Sequence, residues 1–121
     1  MARDLYHPSP EQIGLSAIYD ALSDPVRRGI VLRLAEEGEL NCSSFSELGS
    51  KTNLSYHLAR LRESGLTRAR IDGTLRFIQL RVDDLQARFP GLLEAVVASL
   101  LEERQASEAE SVARAKSSRR A

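Results

Sequence analysis

The chain reads as a mainly α-helical domain with one β-hairpin (α+β), and three observations predict this. Residues 50–66 carry Leu54, Leu58 and Leu61 at i, i+4 and i+7 and stop at Gly65, which describes one narrow apolar face of a short helix. Directly after it, residues 66–71 and 74–81 flank Asp72-Gly73, the preferred chemistry of a two-residue hairpin turn. Upstream, Asp24-Pro25 marks a helix start, with Asp24 as cap and Pro25 at the first position, where no hydrogen bond is lost. At 121 residues there is material for one core, not two.

Taken in order, residues 1–8 lack periodicity and are expected to form a flexible arm. Ser9 caps a first helix, with Pro10 at its first position and Gln12 as capping-box partner, and that helix carries Ile13, Leu15, Ile18, Tyr19 and Leu22. The helix after Pro25 buries Val26, Ile30, Val31 and Leu34 and ends at Gly38. A short helix over residues 44–48 buries Phe45 and Leu48, and Gly49-Ser50 turns into the next helix, capped by Ser50 or Thr52. In the hairpin, Arg68 and Arg70 share one strand face by period two. An Asp72-Gly73 turn places Arg76 opposite Ala69, on the other face and near the tip. Asp83 caps a further helix with Gln86 as its partner, and Pro90 breaks or restarts it. Leu92, Leu93, Val96, Val97, Leu100 and Leu101 then form a broad apolar stripe in need of a partner surface. Residues 105–121 are Ala, Ser and charge, and are expected to be a disordered tail whose Arg114, Lys116, Arg119 and Arg120 could add phosphate attraction. The folded domain is thus placed at residues 9–104. Helix, helix, short helix, helix, hairpin, helix is the layout of a winged helix-turn-helix, in which the helix before the hairpin is the one that reads a DNA major groove.

Charge distribution agrees with that reading although the net charge is zero. Residues 51–81 hold seven bases against two acids, and residues 82–113 hold two bases against seven acids. A duplex responds to the local field at its phosphates, so the first segment can bind while the second faces away. Lys51, Thr52, Asn53, Ser55 and Tyr56 are the candidate base-reading residues: Asn pairs bidentately with adenine, Lys reaches guanine or phosphate, and hydroxyls contact either. His57 either contacts phosphate or donates a hydrogen bond within the domain. Arg60, Arg68, Arg70 and Arg76 are candidate phosphate or minor-groove contacts.

Other function classes find less support. No run of 18 apolar residues and no charged-then-apolar leader is present, so a cytoplasmic, non-membrane protein is expected. A lone cysteine fits a reducing compartment. Cys42, just before a helix N-terminus where amides would favour the thiolate, is a candidate redox sensor, its alternative being a small buried hydrophobe. Only Cys42, His7 and His57 could serve as soft or imidazole ligands, far apart in sequence, so neither a metal nor another cofactor is expected. Asp83-Asp84 has no accompanying nucleophile, and no Gly-rich phosphate loop or Ser/His/Asp spacing occurs, so no catalytic residues and no enzyme are expected. The competing non-DNA reading is a winged-helix module for protein–protein docking, and a thiol enzyme at Cys42 would lack both a resolving cysteine and a base.

Two stretches carry a family resemblance. Ala21-Leu22-Ser23-Asp24-Pro25-Val26-Arg27-Arg28 resembles the Leu-x-Asp-Pro-x-Arg pattern of ArsR-type bacterial repressors. Leu54-Ser55-Tyr56-His57-Leu58-Ala59-Arg60-Leu61-Arg62-Glu63-Ser64-Gly65-Leu66 resembles their Ser-His-His-Leu-x-x-Leu-x-x-Ala-Gly-Leu pattern, with Tyr56 and Ser64 as departures. The resemblance covers roughly residues 15–100, and residues 83–93 also resemble a C-terminal segment of one branch. It implies a homodimer joined through the first and last helices, with Leu15, Ile18, Tyr19, Leu92, Leu93, Val96, Val97 and Leu100 at the interface. It also implies a repressor of a near-palindromic operator until an effector, which no motif here identifies, releases it. Metal sensors of the family carry Cys-x-Cys where this chain has Leu40-Asn41-Cys42-Ser43-Ser44-Phe45, and the stretch from Phe45 to Leu54 is shorter than in the common form.

Overall fold

The computed structural model describes residues 5–119, and two of its longer helices start at side-chain caps. Asp24 accepts hydrogen bonds from the amides of Val26 (2.8 Å) and Arg27 (3.2 Å), and α2 runs Pro25–Glu37 behind it. Ser50 accepts from the Asn53 amide at 3.2 Å and starts α3, Lys51–Ser64. Gly65 closes α3 in the left-handed region at φ 90°, and a Cβ there would lie 2.6 Å from Ile13 Cγ1, so the position serves both turn and packing.

The first helix is split. Ser9 N–H does donate to Gln12 Oε1 at 2.8 Å, but the turn it starts is a 3-10 segment, Pro10–Gln12, and α1 begins afresh at Leu15–Leu22. Residues 5–8 are not a loose arm. Pro8 is buried, its carbonyl accepts from the Arg81 guanidinium at 2.7 Å, and His7 Nε2 accepts from the Ala69 amide at 3.0 Å. These polar anchors carry no periodicity, which is why the pattern read as flexible; residues 1–4 of the expected arm lie outside the described residues.

After α2 the chain adds a two-residue strand, β1 (Leu40–Asn41), and a 3-10 helix, Cys42–Leu48, capped by Asn41, which accepts from the Ser43 amide. Phe45 is buried as expected, whereas Leu48 is exposed. The hairpin strands β2 (Thr67–Asp72) and β3 (Leu75–Leu80) pair antiparallel, and β1 pairs on the far side of β3, giving the order β1-β3-β2. Asp72 pairs with Leu75, so the loop is Gly73-Thr74 rather than Asp72-Gly73, and Arg76 faces Ile71 rather than Ala69. Gly73 has φ 63° and no other loop residue is left-handed, which suits a loop needing glycine first rather than second. The shift preserves the faces: Arg76 remains on the side opposite Arg68 and Arg70.

Residues Val82–Arg88 form α4, with Asp83 and Asp84 inside its first turn, where they complement the helix dipole. Neither caps it. Asp84 accepts from Arg81 and Arg68, and Gln86 accepts from the Gly91 amide instead of closing a capping box. The chain breaks around Pro90 as expected, and α5 runs Leu92–Arg119. Its apolar stripe is not left bare: Leu100 is buried, and Leu92, Leu93, Val96, Val97 and Leu101 pack partly buried against the core. A paired fork from Arg104 to Glu36, both contacts 2.9 Å, ties α5 to α2. Beyond it, residues 105–118 are exposed yet helical, in place of the expected disorder. Ala, Glu, Gln, Arg and Lys are strong helix formers, so the helix propagates without a surface beneath it. Residues 120 and 121 of the expected tail lie outside the described residues.

The core joins Ile18 of α1, Ile30, Val31 and Leu34 of α2, Phe45, Leu61 of α3, Ile78 of β3 and Leu85 of α4. Each buried aliphatic side chain contributes about 1.5–3 kcal/mol of apolar transfer free energy. The packed triangle of α1, α2 and α3 fixes which face of α3 is left outside.

Candidate nucleic-acid interface

Leu54 and Leu61 anchor α3 in the core, and helical periodicity then turns Lys51, Thr52, Asn53, Ser55 and Tyr56 outward. All five are exposed, Tyr56 at 58 %, and among the described residues their side chains hold no hydrogen bond or ion pair. Tyr56 packs edge-on against His57 with ring centroids 5.5 Å apart.

The flank of α3 that faces α1 and α2 is tied down. Arg27 is buried, and its guanidinium donates to the Ala21 carbonyl (2.7 Å) and the Asp20 carbonyl (3.3 Å), so it closes the C-terminal end of α1. Its third contact is His57 Nδ1 at 3.1 Å. Arginine has only donors, so Nδ1 is the acceptor and the ring proton sits on Nε2. His57 therefore accepts, not donates, inside the domain. Burial alone would raise the Asp24 carboxyl; the hydrogen bonds from the Arg27 and Val26 amides, with the Arg27 charge nearby, hold it below the ordinary aspartate value. Arg60 pairs with Asp20, which raises its pKa by that hydrogen bond.

The wing's outer face is also neutralised. Arg70 makes a fork to Glu39 (2.8 and 3.1 Å) and stacks over Phe77, and Arg68 donates to Asp84 at 3.1 Å. Hydrogen bonding from Arg70 lowers the Glu39 carboxyl. Arg76, on the inner face near the tip, makes no ion pair among the described residues; neither do Lys51 and Arg62. Which cations are free was invisible in the sequence, because Asp20, Glu39 and Asp84 come from elements outside the basic segment.

Cys42 is the first residue of the 3-10 helix and half-buried. Burial pushes its thiol above the ordinary value, only partly offset by the Arg76 charge, so the expected thiolate-favouring site is not formed. Among the described residues no three His, Cys, Asp or Glu side chains gather to hold a metal, and no helix is long and apolar enough to cross a membrane.

A helix-turn-helix domain model matches residues 22–70, the span from the end of α1 to the middle of β2. The HTH-type transcriptional regulator YceK of Bacillus subtilis (strain 168) is 42 % identical over 82 residues, covering 65 % of this chain and 82 % of that one. This chain belongs to the HTH-type transcriptional regulators. The HTH-type regulator MJ1325 of Methanocaldococcus jannaschii is 38 % identical over 69 residues, covering 55 % of this chain and 76 % of its own. Among solved structures, an ArsR family transcriptional regulator superposes with TM-score 0.55 at 25 % identity, over 83 % of this chain and 93 % of its own. The homodimeric winged helix-turn-helix DNA-binding domain Mb0332 of Mycobacterium bovis superposes with TM-score 0.53 at 27 % identity, over 74 % of this chain and 82 % of its own. In this ArsR-type fold α3 is the recognition helix and the β2–β3 hairpin is the wing.

Proposed function

We propose that this regulator is a cytoplasmic repressor that binds a near-palindromic operator as a homodimer. One observation carries the reading: the exposed N-terminal half of α3 presents Lys51, Thr52, Asn53, Ser55 and Tyr56 together, their side chains without hydrogen-bond or ion-pair partners among the described residues. On this reading Asn53 and Lys51 contact base edges, the hydroxyls of Thr52, Ser55 and Tyr56 contact bases or phosphates, and Arg76 takes a phosphate. His57 and Arg60 hold α3 in place through Arg27 and Asp20. Arg68 and Arg70 reach phosphate only by leaving Asp84 and Glu39, so they contribute less.

The homodimer is supported by the Mycobacterium bovis neighbour and by apolar surface on the first and last helices. Leu15 and Tyr19 are 41 % and 56 % exposed, and a groove of about 540 Å³ runs past Leu34, Val82, Leu93 and Val97. Ile18 and Leu100 are core residues of the protomer, so they support that surface from below. Two-fold symmetry places the recognition helices about 34 Å apart, roughly one turn of B-DNA.

The test is selection of the full chain on a randomised duplex pool, with sedimentation alongside. Enrichment of two inverted half-sites about one turn apart, and a dimer split by Tyr19→Glu, are expected. An unenriched pool would overturn the operator reading. A species that sediments as a monomer, or a dimer indifferent to Tyr19→Glu, would overturn the proposed interface.

A further inference from the structure

The helix that precedes α3 is reduced here to the 3-10 segment Cys42–Leu48, and a cleft of about 610 Å³ opens between it, α3 and the wing. That volume suits a small-molecule site. Its surface is mainly apolar, with Leu54, Leu58, Ala69 and Ile78 among the lining residues. Lys51, Arg62 and Arg76 also line it, the three bases of residues 51–81 that have no ion-pair partner among the described residues, and among those residues no Asp or Glu lines it. Thr67 lies beneath the cleft: it is wholly buried, and among the described residues its hydroxyl has no hydrogen-bond partner.

We propose that the cleft binds a small organic anion with an apolar body, an aromatic or aliphatic carboxylate or sulfonate, and that such a ligand and DNA exclude each other. The apolar lining takes the body, and the unpaired cations take the charge. A duplex phosphate can use those cations but gains nothing from the apolar surface, which therefore points to a small molecule. Mutual exclusion follows because Lys51 and Arg76 are the same groups offered to DNA; that part rests on the regulator reading above.

The test is a fluorescence titration of the full chain with anilinonaphthalene sulfonate, repeated with its uncharged parent phenylnaphthylamine. Saturation at one probe per chain is expected, with the uncharged compound bound at least about tenfold more weakly, the scale of one charge-assisted hydrogen bond. Ala69→Leu, which fills the cleft, should abolish the binding. Arg76→Gln, at an exposed position where folding is not at stake, should weaken it about tenfold. Equal affinity for the two compounds, or unchanged affinity in Arg76→Gln, overturns the site. Adding the selected duplex should displace the probe. Probe and duplex bound together would overturn the exclusion alone, and a duplex that never binds would overturn the regulator reading while the titration still decides the cleft.

Discussion

The two flanks of α3 treat positive charge in opposite ways. Towards α1 and α2, Arg27 is buried among carbonyls and Arg60 is held by Asp20. Towards the wing, Lys51, Arg62 and Arg76 surround an apolar cleft that no carboxylate of the described residues lines. The first flank orients the helix and the second offers charge to a ligand. A count of bases along residues 51–81 gives seven against two acids, yet Arg60, Arg68, Arg70 and Arg81 are all in ion pairs. Free charge, not formal charge, is what a phosphate meets.

The sharpest way to break that contrast is on the tied flank. Arg27→Ala leaves the Ala21 and Asp20 carbonyls and His57 Nδ1 without their donor, and should cost about 3 kcal/mol of stability, the sum of two or three hydrogen bonds. Urea unfolding measures this, with duplex affinity of the remaining folded protein little changed. A variant of wild-type stability would mean that Arg27 does not hold α1 to α3. On the free flank stability should stay put and binding should move. Arg76→Ala should reduce the salt slope of duplex binding by about one, the mark of one lost phosphate contact, whereas Arg70→Ala should reduce it by clearly less. Equal slopes for the two variants would erase the distinction between paired and unpaired arginines.

This contrast also separates what was legible in the sequence from what was not. Caps and stops were legible because they act locally: Asp24, Ser50 and Gly65 each set an element boundary through bonds within a few residues. The exposed face of α3 followed from the leucine spacing. The arm at residues 5–8 was not legible, since His7 and Pro8 are held by partners some sixty to seventy residues away. Nor was β1, whose two residues carry no periodicity and form a strand only because β3 lies beside them. The wing loop slipped by one position because an Asp-Gly pair fits the chain two ways, and the sequence does not say which loop position takes the glycine. The cleft was out of reach for a further reason: it is space left by a shortened helix, and a sequence lists only what is present.

A smaller effect should follow from freeing a paired arginine without touching it. Glu39→Gln removes the carboxylate that holds Arg70, so Arg70 should join the phosphate contacts and steepen the salt slope by less than one. The same release is expected on acidification. Arg70 holds the Glu39 pKa low, so the pair persists above the ordinary glutamate range and is lost as pH falls through the lowered folded value. A Glu39→Gln protein with the wild-type slope would mean that Arg70 stays away from the duplex even when released.

The smallest expected effect lies at Cys42, where the two flanks' logic meets a single titrating group. Its thiol is pushed up by burial, and Arg76 across the cleft pulls the other way. At neutral pH the folded protein should therefore react with iodoacetamide several-fold more slowly than the urea-unfolded chain, because less thiolate is present and access is reduced. Arg76→Gln should slow the reaction further, since it removes the charge that favours the thiolate, while a purely steric barrier would leave the two folded rates equal. Cys42→Ser should leave duplex affinity within about twofold, because the change is nearly isosteric and the thiol is assigned no contact with DNA. A folded rate above the unfolded one would instead restore Cys42 as a reactive sensor, and would make the wing's free arginine its activator rather than a contact for phosphate.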